Sequence, residues 1–274
     1  MSLSQCTWSD VAQDWDRWRD RIEEGDSGIT AALLDAAAPL AGSRVLELAA
    51  GTGEVAARIA DAVGPDGSVV ASDEAEGMVA LLTGRLAGLD NVEVRRIDAR
   101  RIASPDDAYD AVVCRMGLML VADPTEAATE ARRVLRPGGR RAAAVWADPS
   151  VNPWLASVGM AAMMHGLVAG GPPTGPGGPF SLADPEAVRA LLEDAGFTDV
   201  RVDAVDGVRH YDGVEEHLDM GGSLAPPLSA ALAAAAPETV TAVGETLRQL
   251  TSAYLTDDGG LDLPLRALVA SATA

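Results

Sequence analysis

Three acidic residues, Glu47, Asp73 and Asp98, fall at matching places, each at or near the end of a short apolar run with strand character. Acids at the carboxyl ends of parallel strands face one crevice, where they accept hydrogen bonds from a polar ligand. Directly after the first acid and Leu48 the chain reads Ala49, Ala50, Gly51, Thr52, Gly53, a turn almost free of side chains. Val55, Ile59 and Val63 then recur at fourfold spacing with Gly64 as a stop, so the turn opens onto an amphipathic helix. Strand, glycine turn and helix together make a nucleotide-type ligand site, because glycines let backbone approach a ligand and a helix start offers unpaired N–H groups. Asp73 follows Gly53 by about 20 residues, the distance at which an acid ending the second strand accepts both hydroxyls of a ribose. Up to this point a nicotinamide dinucleotide fits equally well. The third glycine of its fingerprint is replaced here by Ala56, which argues against it without deciding the matter.

The elements that must hold these residues alternate. Strand patterns at 45–48, 68–72, 92–97, 111–114, 141–146, 198–205 and 261–269 are separated by helical patterns, which predicts a doubly wound, mostly parallel, Rossmann-like α/β sheet of seven strands. Asp123, Pro124 and Glu126 supply an N-cap, a first-turn proline and an acid three residues after the cap; Pro137, Gly138 and Gly139 mark a turn before the next strand. Trp8, Val11, Trp15 and Trp18 lie at helical spacing and predict an N-terminal helix, followed by a second over 29–38. Its tryptophans either dock it on the body or line a ligand site. Regular pattern is lost between 148 and 180, and the Gly/Pro-rich run 170–179 reads as a surface loop or a lid. Residues 214–254 are Ala-rich and helical, a cap inserted before the last strand, in which Pro264 suits an edge or a strand start. The expected division is 1–40 helical segment, 41–148 cofactor-binding core, 149–211 lid-like loop with a helix and strand completing the core, 212–256 helical cap and 257–274 final strand.

Composition narrows the function. The 274 residues carry a net charge of −20, and all 21 basic residues are Arg. A chain this acidic repels phosphate backbones and anionic lipid, so nucleic-acid and membrane-surface partners are disfavoured. Two cysteines, Cys6 and Cys114, are too few for a disulfide framework, and the first eight residues hold no apolar signal region. A cytoplasmic location is the default expectation. No metal site is expected.

The residues from Glu47 to Gly53 resemble the first motif of class I S-adenosylmethionine-dependent methyltransferases, with Ala49 at the first glycine position, a departure that makes closest backbone approach harder there. Ser72 to Met78 is similar to the second motif, Ile97 to Arg100 to the third. Asp110 to Leu120 with Asp123 and Pro124 resembles the fourth-strand region, and Arg133 to Gly139 the turn before strand five. Within the family the resemblance is closest to the bacterial ubiquinone and menaquinone biosynthesis methyltransferases, and Asn152-Pro153-Trp154, 178–185 and Ala195-Gly196-Phe197 extend it to residue 205. It implies S-adenosylmethionine as cofactor, with Gly51 and Gly53 under its methionine part, Glu47 near its amino group through water, Asp73 on the ribose and Met78 against the adenine. It further implies that Asp98 accepts from the adenine amine and that the Ala99 N–H reads a ring nitrogen. Met78 also reads as an ordinary core residue. Arg115 pairs either with a carboxylate of cofactor or substrate, or with Glu47 or another structural acid. The transfer needs a base only if the acceptor arrives protonated; His165, beside the lid-like loop, is the candidate, ahead of His210 and His217. Asn152-Pro153-Trp154 follows strand five rather than strand four, so it reads as a loop anchor and not as an amino-methylation site. The expected function is methyl transfer to a small molecule on oxygen or carbon. The alternatives are an NAD(P)-dependent oxidoreductase, or a protein of this fold that binds the cofactor without transferring methyl.

Overall fold

The computed structural model describes residues 7–170 and 173–274. Cys6 and the residues before it, and Gly171 and Pro172 of the Gly/Pro-rich run, lie outside the described residues.

The chain opens on one helix, α1 (Ala12–Ala37), where the sequence predicts two. Ile22, Asp26, Ile29, Thr30, Leu33 and Ala37 keep a single buried face running through Gly25 and Gly28, and that packing outweighs the two helix-weakening glycines. The helix stops at Ala38, whose φ of 42° is left-handed, one residue before Pro39. Next come β1 (Arg44–Glu47), α2 (Glu54–Val63), β2 (Ser68–Asp73), α3 (Glu76–Leu86), β3 (Val92–Arg96), β4 (Tyr109–Arg115), α4 (Pro124–Val134) and β5 (Leu135–Trp146). The Asp123 carboxylate accepts from the Thr125 and Glu126 N–H groups at the start of α4, as the sequence predicts. Strand β5 begins earlier than predicted: Leu135 already pairs with Tyr109, and the Pro-Gly-Gly turn becomes an irregularity inside the strand.

Beyond β5 lie α5 (Pro153–Met164), α6 (Pro185–Asp194), β6 (Thr198–Tyr211), the cap helices α7 (Val214–Leu224), α8 (Pro226–Ala234) and α9 (Pro237–Leu250), and β7 (Leu261–Thr273). Helix α5 occupies a stretch in which the sequence shows no regular pattern. Its residues are apolar on nearly every side, so no 3.6-residue periodicity marks it.

The seven strands form one sheet in the order β3-β2-β1-β4-β5-β7-β6. The first five are parallel, and β7 is antiparallel to both neighbours. Pro264 thus sits in an interior strand, but near its start, where β5 has already ended. Arg266 turns its backbone toward the β5 side, since its carbonyl accepts from the Ala147 N–H. Pro264, two residues earlier, turns the same way, so its missing donor falls where no strand is available to pair.

Gly25 of α1 has a packing reason: a Cβ there would lie 2.9 Å from Nε of the buried Arg209, whereas one on Gly28 would meet nothing within 4 Å. Gly28→Ala is therefore expected to stabilise by about 0.5–1 kcal/mol through helix propensity. Gly25→Ala should instead destabilise by about 1–2 kcal/mol, because overpacking outweighs the same gain. Urea unfolding of the two variants checks the opposite signs.

Candidate functional site

The turn after β1 is built from backbone. The Leu48 N–H donates to the Val113 carbonyl, Ala50 N–H to the Ser72 carbonyl and Gly53 N–H to the Ala50 carbonyl. Ala49, Gly51 and Gly53 have φ of 53°, 56° and 91°, all left-handed. Gly53 is also fixed by space, as a Cβ would approach Leu82 Cδ2 of α3 to 3.0 Å. Ala49 holds a conformation that costs an L residue about 1–2 kcal/mol. Opposite it stands Gly117, where a Cβ would sit 2.3 Å from that of Ala49. The glycine displaced from the turn has thus a counterpart across from it, a compensation invisible without the fold.

Asp73 closes the other side of the turn. Its Oδ2 accepts from the Gly51 N–H at 3.1 Å and its Oδ1 from the Ala75 N–H at 3.0 Å. Burial raises its pKa above the ordinary carboxylate value, against the pull of these N–H groups. Met78 is buried on α3. At the start of that helix the Gly77 N–H donates to Ser9 Oγ at 3.0 Å, and a Cβ on Gly77 would lie 2.7 Å from the Ser9 carbonyl oxygen. The segment ahead of α1 therefore lies directly against the acidic edge, with Trp8 packed edge-on to Trp15 at 6.4 Å. Trp15 reaches the cap as well, its Nε1 donating to the Leu224 carbonyl at 2.9 Å. Asp98, just past β3, is gripped by the Arg100 side chain through Nε at 3.0 Å and Nη2 at 2.8 Å, a pairing that lowers its pKa. Ala99 beside it is half-buried.

Glu47 is 1% exposed, and its Oε2 has no hydrogen-bond partner. Burial pushes its carboxyl up to about 8; the charge of Arg115 opposes the shift, and Glu54 and Asp73 add to it. Arg115 itself donates through Nη1 to Glu23 Oε2 and to Thr30 Oγ1, each at 2.6 Å, so of the sequence alternatives it takes an acid of α1. Glu47, Ala49, Gly51, Gly53, Asp73 and Arg115 gather at the carboxyl ends of β1, β2 and β4; Met78, Asp98 and Ala99 lie along the same edge toward β3.

His165 stands elsewhere, at the C-terminal end of α5, with its Nε2 2.8 Å from Thr246 Oγ1 of α9. His210 pairs with Asp262 on the exposed face of the β6–β7 ribbon. His217 of α7 is fully buried; desolvation, with the Arg209 charge adding to it, pushes its pKa down to about 3. Asn152 is an anchor, as the sequence suggests: its buried amide donates to the carbonyls of Ala147, Asp148 and Arg266 and accepts from the Arg266 N–H.

The sheet order with an antiparallel seventh strand, and the glycine turn after the first, define the class I S-adenosylmethionine-dependent methyltransferase fold, and residues 45–139 match the methyltransferase domain family. That match takes in about a third of the chain and includes the glycine turn and the strand ends around it. A demethylmenaquinone methyltransferase of Clavibacter sepedonicus is 38% identical over 145 residues, covering 53% of this chain and 58% of the relative. A ubiquinone/menaquinone biosynthesis C-methyltransferase of Ectopseudomonas oleovorans is 43% identical over 105 residues, 36% of this chain and 61% of the relative. The chain spans about three-fifths of the length of these curated relatives. Among solved structures, the YcgJ protein of Bacillus subtilis superposes with a TM-score of 0.59 at 20% identity, over 89% of this chain and 97% of that one. The [4+2]-cyclase SpnF does so at 0.55 and 18%, over 97% and 96%. At these identities the likeness is one of fold. No described helix is long and apolar enough to cross a membrane, and no cluster of metal-ligating side chains occurs among the described residues.

Proposed function

We propose that this chain transfers the methyl group of S-adenosylmethionine to a small molecule, on oxygen or on carbon. The observation that carries the reading is the unpartnered Glu47 Oε2 beside the glycine turn, a buried acceptor at the place where the family's cofactor presents a cationic amino group. The residues around it suit the rest of that molecule. Gly51, over which no atom lies within 4 Å of a would-be Cβ, leaves the turn open to the methionine part. Asp73 offers its remaining lone pairs to the ribose hydroxyls, Met78 its side chain to the adenine, and the Ala99 N–H a donor to a ring nitrogen. Asp98 serves the adenine amine only by sharing its carboxylate with Arg100. Arg115 acts indirectly, holding α1 over the strand ends through Glu23 and Thr30.

The bound cofactor supplies an activated sulfonium methyl. The protein's part is to align the acceptor in line with that bond and to exclude water, which the cap, α1 and the segment before it support by their position over the carboxyl edge. The names of the curated relatives favour carbon methylation of a quinone-type ring as the finer reading. The NAD(P)-dependent oxidoreductase reading finds no support in them. Titration calorimetry tests the proposal: micromolar binding of S-adenosylmethionine or S-adenosylhomocysteine, and none of NAD, is expected. Absence of affinity for both sulfur compounds in folded protein would sink it. Transfer of labelled methyl from the cofactor to a metabolite in a host extract identifies the acceptor.

A further inference from the structure

Strands β6 and β7 do not stop where the rest of the sheet does. Trp146, the last residue of β5, is level with Ala267, and Ala267 with Val205. Tyr211 lies six residues farther along β6, roughly 20 Å past the rim at about 3.3 Å per residue. Because β6 runs parallel to β5, this ribbon rises on the side of the glycine turn. Its inner face carries Arg209 and Tyr211, and against it pack Asp26 of α1, Trp154 and Ser157 of α5, and His217 of α7.

These side chains form one contiguous buried group. Asp26 pairs with Arg209, whose guanidinium lies 4.0 Å from the ring centre of Trp154. The rings of Tyr211 and His217 are 4.5 Å apart, and His217 Nε2 is 2.9 Å from Ser157 Oγ. All six residues are less than a tenth exposed. Yet Trp154 Nε1, Tyr211 OH and His217 Nδ1 have no hydrogen-bond partner. Arg209 Nε lacks one too, but it lies against Gly25 and is not part of this set.

An unsatisfied buried polar group costs about 1–3 kcal/mol, and native proteins leave few of them. Three in one group call for one explanation, a polar occupant. Indole N–H and phenol O–H are donors, so the occupant brings an oxygen with lone pairs. Around these atoms the neighbouring side chains are aromatic, with Trp146 4.9 Å from Trp154 and the Tyr211 and His217 rings packed together, so the body that carries this oxygen is an apolar or aromatic ring.

We infer that Trp154, Tyr211 and His217 form the polar end of the acceptor site and hold an oxygen substituent on an aromatic ring. Ser157 is a positioning residue, fixing the tautomer of His217. The inference rests on the methyltransferase reading for calling that ring the acceptor, and not for the existence of the subsite.

The test loads the protein with S-adenosylhomocysteine and titrates it with 1-naphthol and with naphthalene. We expect 1-naphthol to bind at least about tenfold more tightly. Tyr211→Phe and His217→Asn should each cut that ratio to about threefold or less, leaving the affinities for naphthalene and S-adenosylhomocysteine unchanged. A merely structural role would weaken all three ligands together. Equal binding of the two probes by the parent protein, no binding of 1-naphthol, or a preference that survives in both folded variants would overturn the inference and leave internal water as the occupant. If S-adenosylhomocysteine fails to bind while the preference for naphthol and its loss in the variants hold, the methyltransferase reading falls and the subsite stands.

Discussion

Glu47→Gln is expected to yield a protein that is more stable at pH 8 and binds its cofactor less well. The side chain is buried with its carboxyl pushed up to about 8, from an ordinary value of 4.5. An acid whose pKa is raised by folding contributes its full stability below the unfolded value and loses it as pH climbs to the folded one. Stability should therefore decline between pH 4.5 and about 8 by up to roughly 1.4 kcal/mol per unit. A neutral, isosteric amide removes that burden. Urea unfolding should show a gain of about 2–4 kcal/mol at pH 8 and almost none at pH 5. Cofactor affinity should fall tenfold or more, through a lost charge-assisted contact of about 1.5–3 kcal/mol. In the parent protein, cofactor binding at pH 7 should release close to one proton, measurable by calorimetry in buffers of different ionisation enthalpy, and the variant should release none. A variant no more stable at pH 8 than its parent would show that the carboxylate is not held out of water.

Asp73→Ala is expected to weaken cofactor binding by about 1–3 kcal/mol, and the structure adds a second consequence. The carboxylate holds both the Gly51 and the Ala75 N–H groups, so its loss also loosens the turn and the start of α3. A stability loss of about 1–2 kcal/mol should accompany the affinity loss. The ribose contact is separable from this loosening by comparing S-adenosylhomocysteine with its 2′-deoxy analogue. The parent should prefer the hydroxylated compound by about tenfold, as expected for a charge-assisted hydrogen bond. The variant should bind the two alike. A preference that persists in the variant contradicts the ribose assignment.

What the sequence made legible is local. An acid ending a strand, a side-chain-free turn and a helix with fourfold spacing occupy a few tens of consecutive residues, and their physics needs no distant partner. The capping residue Asp123 belongs to the same kind, accepting from backbone two and three positions on. What the sequence hid depends on residues brought from far apart. Gly117 has a meaning only once it faces Ala49, and Gly77 only once Ser9 lies on it. Helix α5 is apolar all round, so burial erases the periodicity by which an exposed helix is recognised. The group of Asp26, Trp154, Arg209, Tyr211 and His217 draws on four separate elements. Nothing in sequence distinguishes buried His217 from exposed His210, seven residues before it.

The short stretch where β7 runs beyond the end of β5 has a bearing on how the protein behaves in a crowded solution. A strand flank with free N–H and C=O groups invites another chain to pair with it, the first step of edge-to-edge aggregation. Here that flank is blunted twice. The Asn152 amide takes both backbone groups of Arg266, and the next residue facing the same way is Pro264, which has no N–H to offer. On its β7 side the ribbon that carries the cap thus rises above the sheet with little exposed template for a second copy.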